Sequence, residues 1–521
     1  MNLSSQPATR RTRVVTGAVL AVWLALVVFT TAHHEFWRDE VRAWSLARAA
    51  DTPFDLYHLI QYDGHPVLWY VLLFTGTSIV DSPLVLPIAS ILVAFAAAAL
   101  FMFAAPFPLW LRTVVIFTAL AAFEYSVMAR NYGISMLLMF LAAVLYRTRA
   151  THPYRLAAAL ALLANTNVHS TMFAGLVAGA WGLEIAAGQW KGRIAPDVSR
   201  YLPLGVVLAG AIVALAFAMP RQSTTLAPGH QRLATGDVLQ AVRGAVIRPD
   251  ETFPDLIPGW VRPKVAILLL YGAIVGLFLR PPLLLAALGA QLALGMFFRL
   301  IYPGWYRHQG LYLMFLLFLY WILIESAGTQ ALRRIPRLVF RGGLYGALLS
   351  LLALDVMRAP GVIRADIAEA RSASRAFGAF LTASAQYRDA VIVAEPDFMM
   401  ESLPFYASNP IYLPRERRFS PTVSWTTASQ AHLTLGDVLA AAREVGAGGA
   451  RPVLIVLPPL DLKNEGEQRY MYGKVFTWNA EEAEAFQAAT TPVGKFTASQ
   501  GDEDYVVYAL ARPASGSSFV Q

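Results

Sequence analysis

The chain has 521 residues, 56% of them hydrophobic and only 15% charged, which excludes an ordinary soluble protein of this size and matches a polytopic membrane protein. It contains no cysteine, so disulfides, thiolate metal sites and thiol nucleophiles are excluded. The net charge of +8 comes largely from Arg and Lys residues between apolar runs, where they set membrane orientation, and no nucleic-acid partner is expected.

A bilayer-spanning helix needs roughly 20 mostly apolar residues. The first run, residues 14–32, carries no charge. Further apolar runs follow, with no small-x-small cleavage pattern before a soluble domain, so the run reads as retained rather than as a cleaved signal peptide. The later runs lie at 67–80, 83–105, 112–127, 131–146, 155–168, 170–187, 202–219, 264–279, 281–299, 310–325 and 342–357. Basic clusters punctuate them: Arg10, Arg11 and Arg13; Arg147, Arg149 and Arg155; Lys191 and Arg193; Arg333, Arg334, Arg337 and Arg341. The positive-inside rule requires all four on the cytoplasmic face.

If every run crossed, the first two clusters would lie on opposite faces. Agreement returns if the short run 67–80, which follows a polar loop, lies at the outer interface. The expectation is then an all-α polytopic membrane protein of about eleven transmembrane helices, with short spans tolerated where helices pack together. Residues 1–13 form a cytoplasmic tail, 14–358 the membrane module, and 33–82 its first outer loop. The connections at 35–66, 124–130, 165–169, 220–263 and 302–308 all land outside. They hold most of the ionisable and amide residues near the membrane core, and such convergence is what a site looks like.

After about Ala359 the composition becomes that of a soluble domain. The segments 389–395, 452–457 and 505–510 read as buried strands, and 363–385, 434–445 and 480–489 as helices. Residues 359–521 are therefore expected to form an extracytoplasmic α/β domain. No internal repeat is visible, and the Ser- and Gly-containing tails are expected to be disordered.

The first outer loop carries an acidic pair, Asp39 and Glu40, about seven residues after the first run, with Trp37 and Trp44 as interfacial anchors. A carboxylate there is well placed to take a proton from an acceptor hydroxyl. Loop composition alone favours a solvated salt-bridge cluster of Arg38, Asp39, Glu40 and Arg42. Next comes Asp63-Gly64-His65-Pro66, a sharp turn that would aim Asp63 and His65 back at the acidic pair, or, read alone, a helix N-cap. Further along, Glu124-Tyr125 precedes Ala129-Arg130-Asn131-Tyr132, and Asn165-x-Asn167-x-His169 follows. Arg130 could hold a phosphate and His169 donate a hydrogen bond to it, or both could anchor the chain at the interface. Finally Tyr306-Arg307-His308 opens a helix with a cation that would otherwise snorkel.

Taken together, Asp39-Glu40, Asp63-Gly64-His65-Pro66 (with Val67 where a second Pro is usual), Ala129-Arg130-Asn131-Tyr132 and Tyr306-Arg307-His308 give a resemblance. Residues 14–357 resemble GT-C glycosyltransferases of the protein O-mannosyltransferase and aminoarabinose-transferase type. The resemblance implies a multi-pass inner (plasma) membrane enzyme of the cell envelope, N-terminus inside and active site on the outer face. It implies transfer of a hexose or pentose, with inversion, from a polyprenyl-phosphate donor to a glycan, lipid or protein acceptor. Asp39 would be the general base, Glu40, Asp63 and His65 would position the sugar and acceptor, and Arg130 or Arg307 would stabilise the departing phosphate, with Glu124, Tyr132, His169 and His308 completing the substrate site. No metal or other cofactor is expected, although Asp39, Asp63 and Glu124 could share a divalent cation. The rival readings are a multi-pass transporter or lipid flippase, which should show repeats and charges at the bilayer midplane, and a scaffold whose outer domain binds a partner.

Overall fold

The computed structural model describes residues 10–219, 235–327, 334–449, 451–498 and 500–511. The cluster member Arg333, the first part of the 220–263 connection and the chain tails lie outside these residues. The membrane module is built from α1 (Arg10–His33), α2 (Arg38–Arg48), α3 (Pro53–Ile60), α4 (Leu68–Ile79), α5 (Val85–Ala104), α6 (Leu109–Ile116), α7 (Tyr132–Tyr146), α8 (Pro153–Ala164) and α9 (Val168–Trp190). It continues with α10 (Leu202–Ala218), α11 (Thr235–Ile247), α12 (Pro263–Val275), α13 (Pro281–Leu300), α14 (Tyr306–Ala327), α15 (Arg334–Arg341) and α16 (Leu349–Ala368).

Seven described helices are long and apolar enough to cross a bilayer: 10–33, 85–104, 168–190, 198–218, 281–300, 306–326 and 336–368. The apolar helices α4, α7, α8 and α12 are shorter. Because α4 and α8 have 12 residues each, about 18 Å against roughly 30 Å of hydrocarbon, length alone does not single out α4 as the helix that fails to cross. Only the charge pattern separates them.

The middle of the bundle is α14. Its residues Leu311 through Leu323 are each no more than 1% exposed, the mark of a helix that is hydrophobic all round and enclosed by other helices. Its polar first turn, Arg307-His308-Gln309, is thereby presented at one end of the bundle.

The C-terminal domain comprises α17 (Ser374–Ala383), β1 (Val391–Ala394), β2 (Ile411–Leu413), β3 (Arg418–Phe419), β4 (His432–Thr434), α18 (Leu435–Ala447), β5 (Val453–Leu457), β6 (Gly466–Arg469), β7 (Val475–Trp478), α19 (Ala480–Ala489), β8 (Thr490–Phe496) and β9 (Tyr505–Leu510). The main sheet runs β3-β2-β1-β5-β9-β8, with β1 parallel to both neighbours, and β4-β7-β6 form a second small sheet. The strands expected at 389–395, 452–457 and 505–510 are β1, β5 and β9, apolar because both faces are covered. The single helix expected over 363–385 is broken. Membrane helix α16 runs on past Ala359 to Ala368, and 369–373 then pairs with the 500–503 segment, where Gln500 donates to Ala370 and Ala373 to Glu503, both at 3.1 Å. Backbone groups engaged in that pairing cannot also close helical turns.

One ion pair lies at the centre of this domain: Arg415 and Glu395 are both fully buried. Arg415 also donates to the carbonyls of Gln430, Ala431 and Val475 at 2.7–2.9 Å. Arg415→Met leaves a buried carboxylate unpaired and should lower stability by about 3–5 kcal/mol. Chemical unfolding of the detergent-solubilised chain measures this, and the double change with Glu395→Leu should recover part of the loss.

Candidate active site

Asp39 and Glu40 lie in the first turn of α2, where carboxylates complement the helix N-terminus, and Glu40 accepts a bond from the Trp37 backbone at 3.4 Å. The four charged residues of this turn do not pair with one another, so the solvated cluster favoured by loop composition is corrected. Arg38 donates to Asp502 at 2.7 Å and to Glu503 at 3.3 Å. Asp39 accepts from Arg130. Glu40, fully buried, meets the His34 ring at 3.0 Å and accepts the Ala129 N–H at 2.6 Å. Arg42 donates to Asp63 at 2.5 Å, to Glu401, and to the Val423 carbonyl at 3.1 Å. A 3.6-residue period splays consecutive side chains around the helix, which is why each finds a different partner.

The 63–66 turn is sharp, with Gly64 at φ 69°. Asp63 is not a helix cap: α4 starts five residues later, and the Asp63 carboxylate accepts from Arg42 and from the Tyr70 hydroxyl. His65 lies within electrostatic reach of Asp39 and Arg130 on one side and of His169 and His308 on the other. Burial, with Arg130 and Arg42 adding to it against the opposing carboxylates, lowers its pKa and keeps the ring neutral.

Three helices begin here. Tyr132 opens α7, His169 lies in the first turn of α9, and Arg307 and His308 lie in that of α14. The rings interlock: His308 stacks on His169 at 5.0 Å and meets Tyr132 edge-on at 5.5 Å. Trp305 N–H donates to Nδ1 of His308 at 2.9 Å, which leaves the proton of the neutral ring on Nε2. His169 is 6% exposed, yet among the described residues neither ring nitrogen has a hydrogen-bond partner. A buried polar group without a partner costs about 1–3 kcal/mol and calls for an explanation. Helix N-termini carry positive potential, so three converging on one place favour an anion there.

Arg307 joins this place to a cavity of about 510 Å³. Its guanidinium sits 5.6 Å from the Trp37 ring, its carbonyl accepts from Tyr125 at 2.8 Å, and it makes no salt bridge among the described residues. Both Asp39 and Glu124 feel its charge. Glu124, Tyr306, Arg358 and Arg371 line the cavity with it. The 254–259 segment forms another wall, fixed because Gln309 accepts from Asp255 and Leu256 at 2.9 and 3.1 Å. Asp39 itself is 37% exposed. Burial opposes its ionisation, but Arg130, Arg307 and Arg38 outweigh that and hold its pKa below the usual carboxylate value.

Among the described residues, the connections expected on one face adjoin one another in turn: Arg130 meets Asp39, His169 meets His308, and the 254–259 segment meets Gln309 and lines a cavity with Glu124 and Arg307. Asp39, His65, Arg130, Tyr132, His169, Arg307 and His308 come together, Glu124 lies on the adjoining cavity wall, and Glu40 and Asp63 face neighbouring protein groups instead. Asp63 is bonded to Arg42 and Asp39 to Arg130, while Glu124 lies on the cavity wall with Arg307 and Arg371; among the described residues no group of three ligating side chains is found. Sequence reading missed Arg358, Arg371, His34 and Asp366, and every partner contributed by the C-terminal domain. The Asp355-x-x-Arg358 pair within an apolar helix was the available signal, since charges three apart there share one face and seldom lack a role.

Comparison with protein-family models and with curated protein sequences gives no match. Among solved structures, the chain is similar to ArnT from Cupriavidus metallidurans bound to undecaprenyl phosphate. That similarity has 12% identity and a TM-score of 0.41, and covers 96% of this chain and 98% of that one.

A second charge network underlies the site. His34, between Glu40 and Asp366 at 3.0 and 2.9 Å, is fully buried. Burial alone would lower its pKa, but the two carboxylates outweigh it and raise the value from 6.5 to about 9. The imidazolium therefore contributes its full stability below about pH 6.5 and loses it as pH rises through about 9. Thermal unfolding should show a loss on the order of 3 kcal/mol across that window, and His34→Gln should flatten the slope.

Proposed function

We propose that the protein is a GT-C-type glycosyltransferase that moves a sugar from a polyprenyl-phosphate carrier to a hydroxyl acceptor on the extracytoplasmic side. The observation that carries this reading is one arrangement: a partly exposed, ionised carboxylate beside an arginine that makes no ion pair among the described residues, where three helix N-termini converge with a histidine that has no hydrogen-bond partner among them. A base and an anion grip side by side are what such a transfer requires.

In this reading Asp39 takes the proton of the acceptor hydroxyl as its oxygen attacks the anomeric carbon. The bond from that carbon to the carrier phosphate breaks on the opposite face, giving inversion. The departing phosphate is a stable anion and needs no strong acid. Arg307, Arg130 and the N–H groups of His169 and His308 stabilise the charge it gains. Arg307 lines the cavity and also acts on Asp39, so it links the carrier's headgroup to the base. Tyr132 and His65 shape the space between them, and Glu124 faces the arginines of the cavity. Glu40 and Asp63 hold α2 and the 63–66 turn in place through His34, Arg42 and Tyr70.

The test is release of polyprenyl phosphate from polyprenyl-phosphate-linked hexose and pentose donors by protein in lipid nanodiscs. Asp39→Asn should cut kcat by about 10²- to 10⁴-fold with the melting temperature unchanged. Full activity in that variant would remove Asp39 as the base. Because nearby cations hold the Asp39 pKa down, the acid limb of the rate profile should lie below an ordinary carboxylate's. Arg130→Ala removes the cation bonded to Asp39, so the limb should move to higher pH.

A further inference from the structure

The two arginines that flank Asp39 are both held by the C-terminal domain. Arg38 and Arg42 are one helical turn apart and share a face of α2. Arg38 is taken by Asp502 and Glu503, and Glu503 also accepts the Arg38 backbone N–H at 3.3 Å. Arg42 is taken by Glu401. Aromatic rings of the same domain lie against both guanidinium groups, Phe398 at 5.5 Å from Arg38 and Trp425 at 5.7 Å from Arg42. Phe398 and Glu401 belong to the segment leaving the carboxyl end of β1, between β2 and β5 with which it runs parallel. In open α/β sheets the crevice beyond such strand ends is where ligands bind. Here α2 lies against it.

We propose that the C-terminal domain completes the active site, with Glu401, Asp502 and Glu503 acting as positioning residues: by taking Arg38 and Arg42 they hold α2, so that the Asp39 carboxylate is presented to Arg130 rather than captured by its own neighbours. This rests on Asp39 being the base proposed above. The geometry is specific. Glu503 is fully buried, yet one carboxylate oxygen reaches Arg38 while the other accepts from Ser402 at 2.8 Å. With its carboxylates removed, Arg38 would find Asp39 as the nearest acid along the chain. Besides Arg38, the ionisable groups facing Asp39 are His65 before α4, Arg130 and Tyr132 at α7, Arg307 at α14 and Tyr472 of the C-terminal domain. Arg38 already bears on Asp39, and with Asp502 and Glu503 removed its charge would no longer be offset, which makes Asp39 a weaker base.

The test uses the full chain in nanodiscs, with Asp502→Asn, Glu503→Gln, their double variant, and Glu503→Asp as the charge-retaining control. Asp502 is 61% exposed, so its substitution does not threaten folding. In the double variant, amide exchange over residues 38–48 should accelerate about tenfold. The kcat for release of polyprenyl phosphate should fall about tenfold with donor KM within about twofold, a positioning loss. The acid limb should move to lower pH, and Glu503→Asp should restore it. Unchanged exchange over 38–48 together with an unmoved acid limb would overturn the proposal. If exchange accelerates as expected but the unaltered protein releases no polyprenyl phosphate from any donor, the hold on α2 stands and the transferase reading falls.

Discussion

A charge taken out of water must be paired, and at the edge of a bilayer there is little water to share the task. Helix α2 carries four consecutive or near-consecutive ionisable residues, and each is answered by a different part of the chain: His34 and the Ala129 backbone for Glu40, Arg130 for Asp39, the 502–503 pair for Arg38, Asp63 and Glu401 for Arg42. These pairings bind the end of α1, the loop before α4, the turn before α7 and the C-terminal domain to one short helix. The remaining geometry of the site follows from where they place that helix.

The anion-favouring side is built by different means. Helices α7, α9 and α14 contribute their N-termini, and that of α14 is held in place by the apolar stretch Leu311 to Leu323, which lies enclosed in the bundle. Arg307 is left without a carboxylate partner among the described residues, and His169 without any hydrogen bond. Leaving such groups unmatched lowers stability, and stability is commonly sacrificed where a ligand will supply the missing partner. The base side is fully paired and the anion side is not. That asymmetry suits the proposed transfer, in which the base must be rigid and ionised beforehand while the phosphate brings its own charge.

The C-terminal domain has its own apolar clusters, distinct from that of the helices, and so could be taken for an independent module. Its connection to the membrane helices combines aromatic packing, with Phe405 against Phe36 and Trp44, and charged contacts. Arg38, Arg42 and Arg375 all cross the boundary, the last donating its backbone N–H to Glu35 at 3.0 Å. Charge pairs of this kind set register between surfaces more sharply than apolar contact does, because a shift of a few ångströms leaves two charges stranded rather than one contact loosened.

Hydropathy and local spacing determined a good deal: the apolar runs, the strands at β1, β5 and β9, and Asp39, Arg130 and Arg307 as residues worth following. These were legible because burying an apolar run or ordering a turn is a local matter, written in adjacent residues. The helical character of the first outer loop was hidden by its mixed charge, and the break between α16 and α17 by the absence of any local breaker. Asp63 looked like a cap because its Gly-His-Pro sequel fits one, while its real partners, Arg42 and Tyr70, are set by packing. Only the tertiary structure decided which carboxylate stays available, that Glu40 turns inward to His34 while Asp39 stays partly exposed, and that residues more than 450 positions away secure Arg38. Pairing of buried charges depends on distance in space, and sequence separation carries almost no information about that.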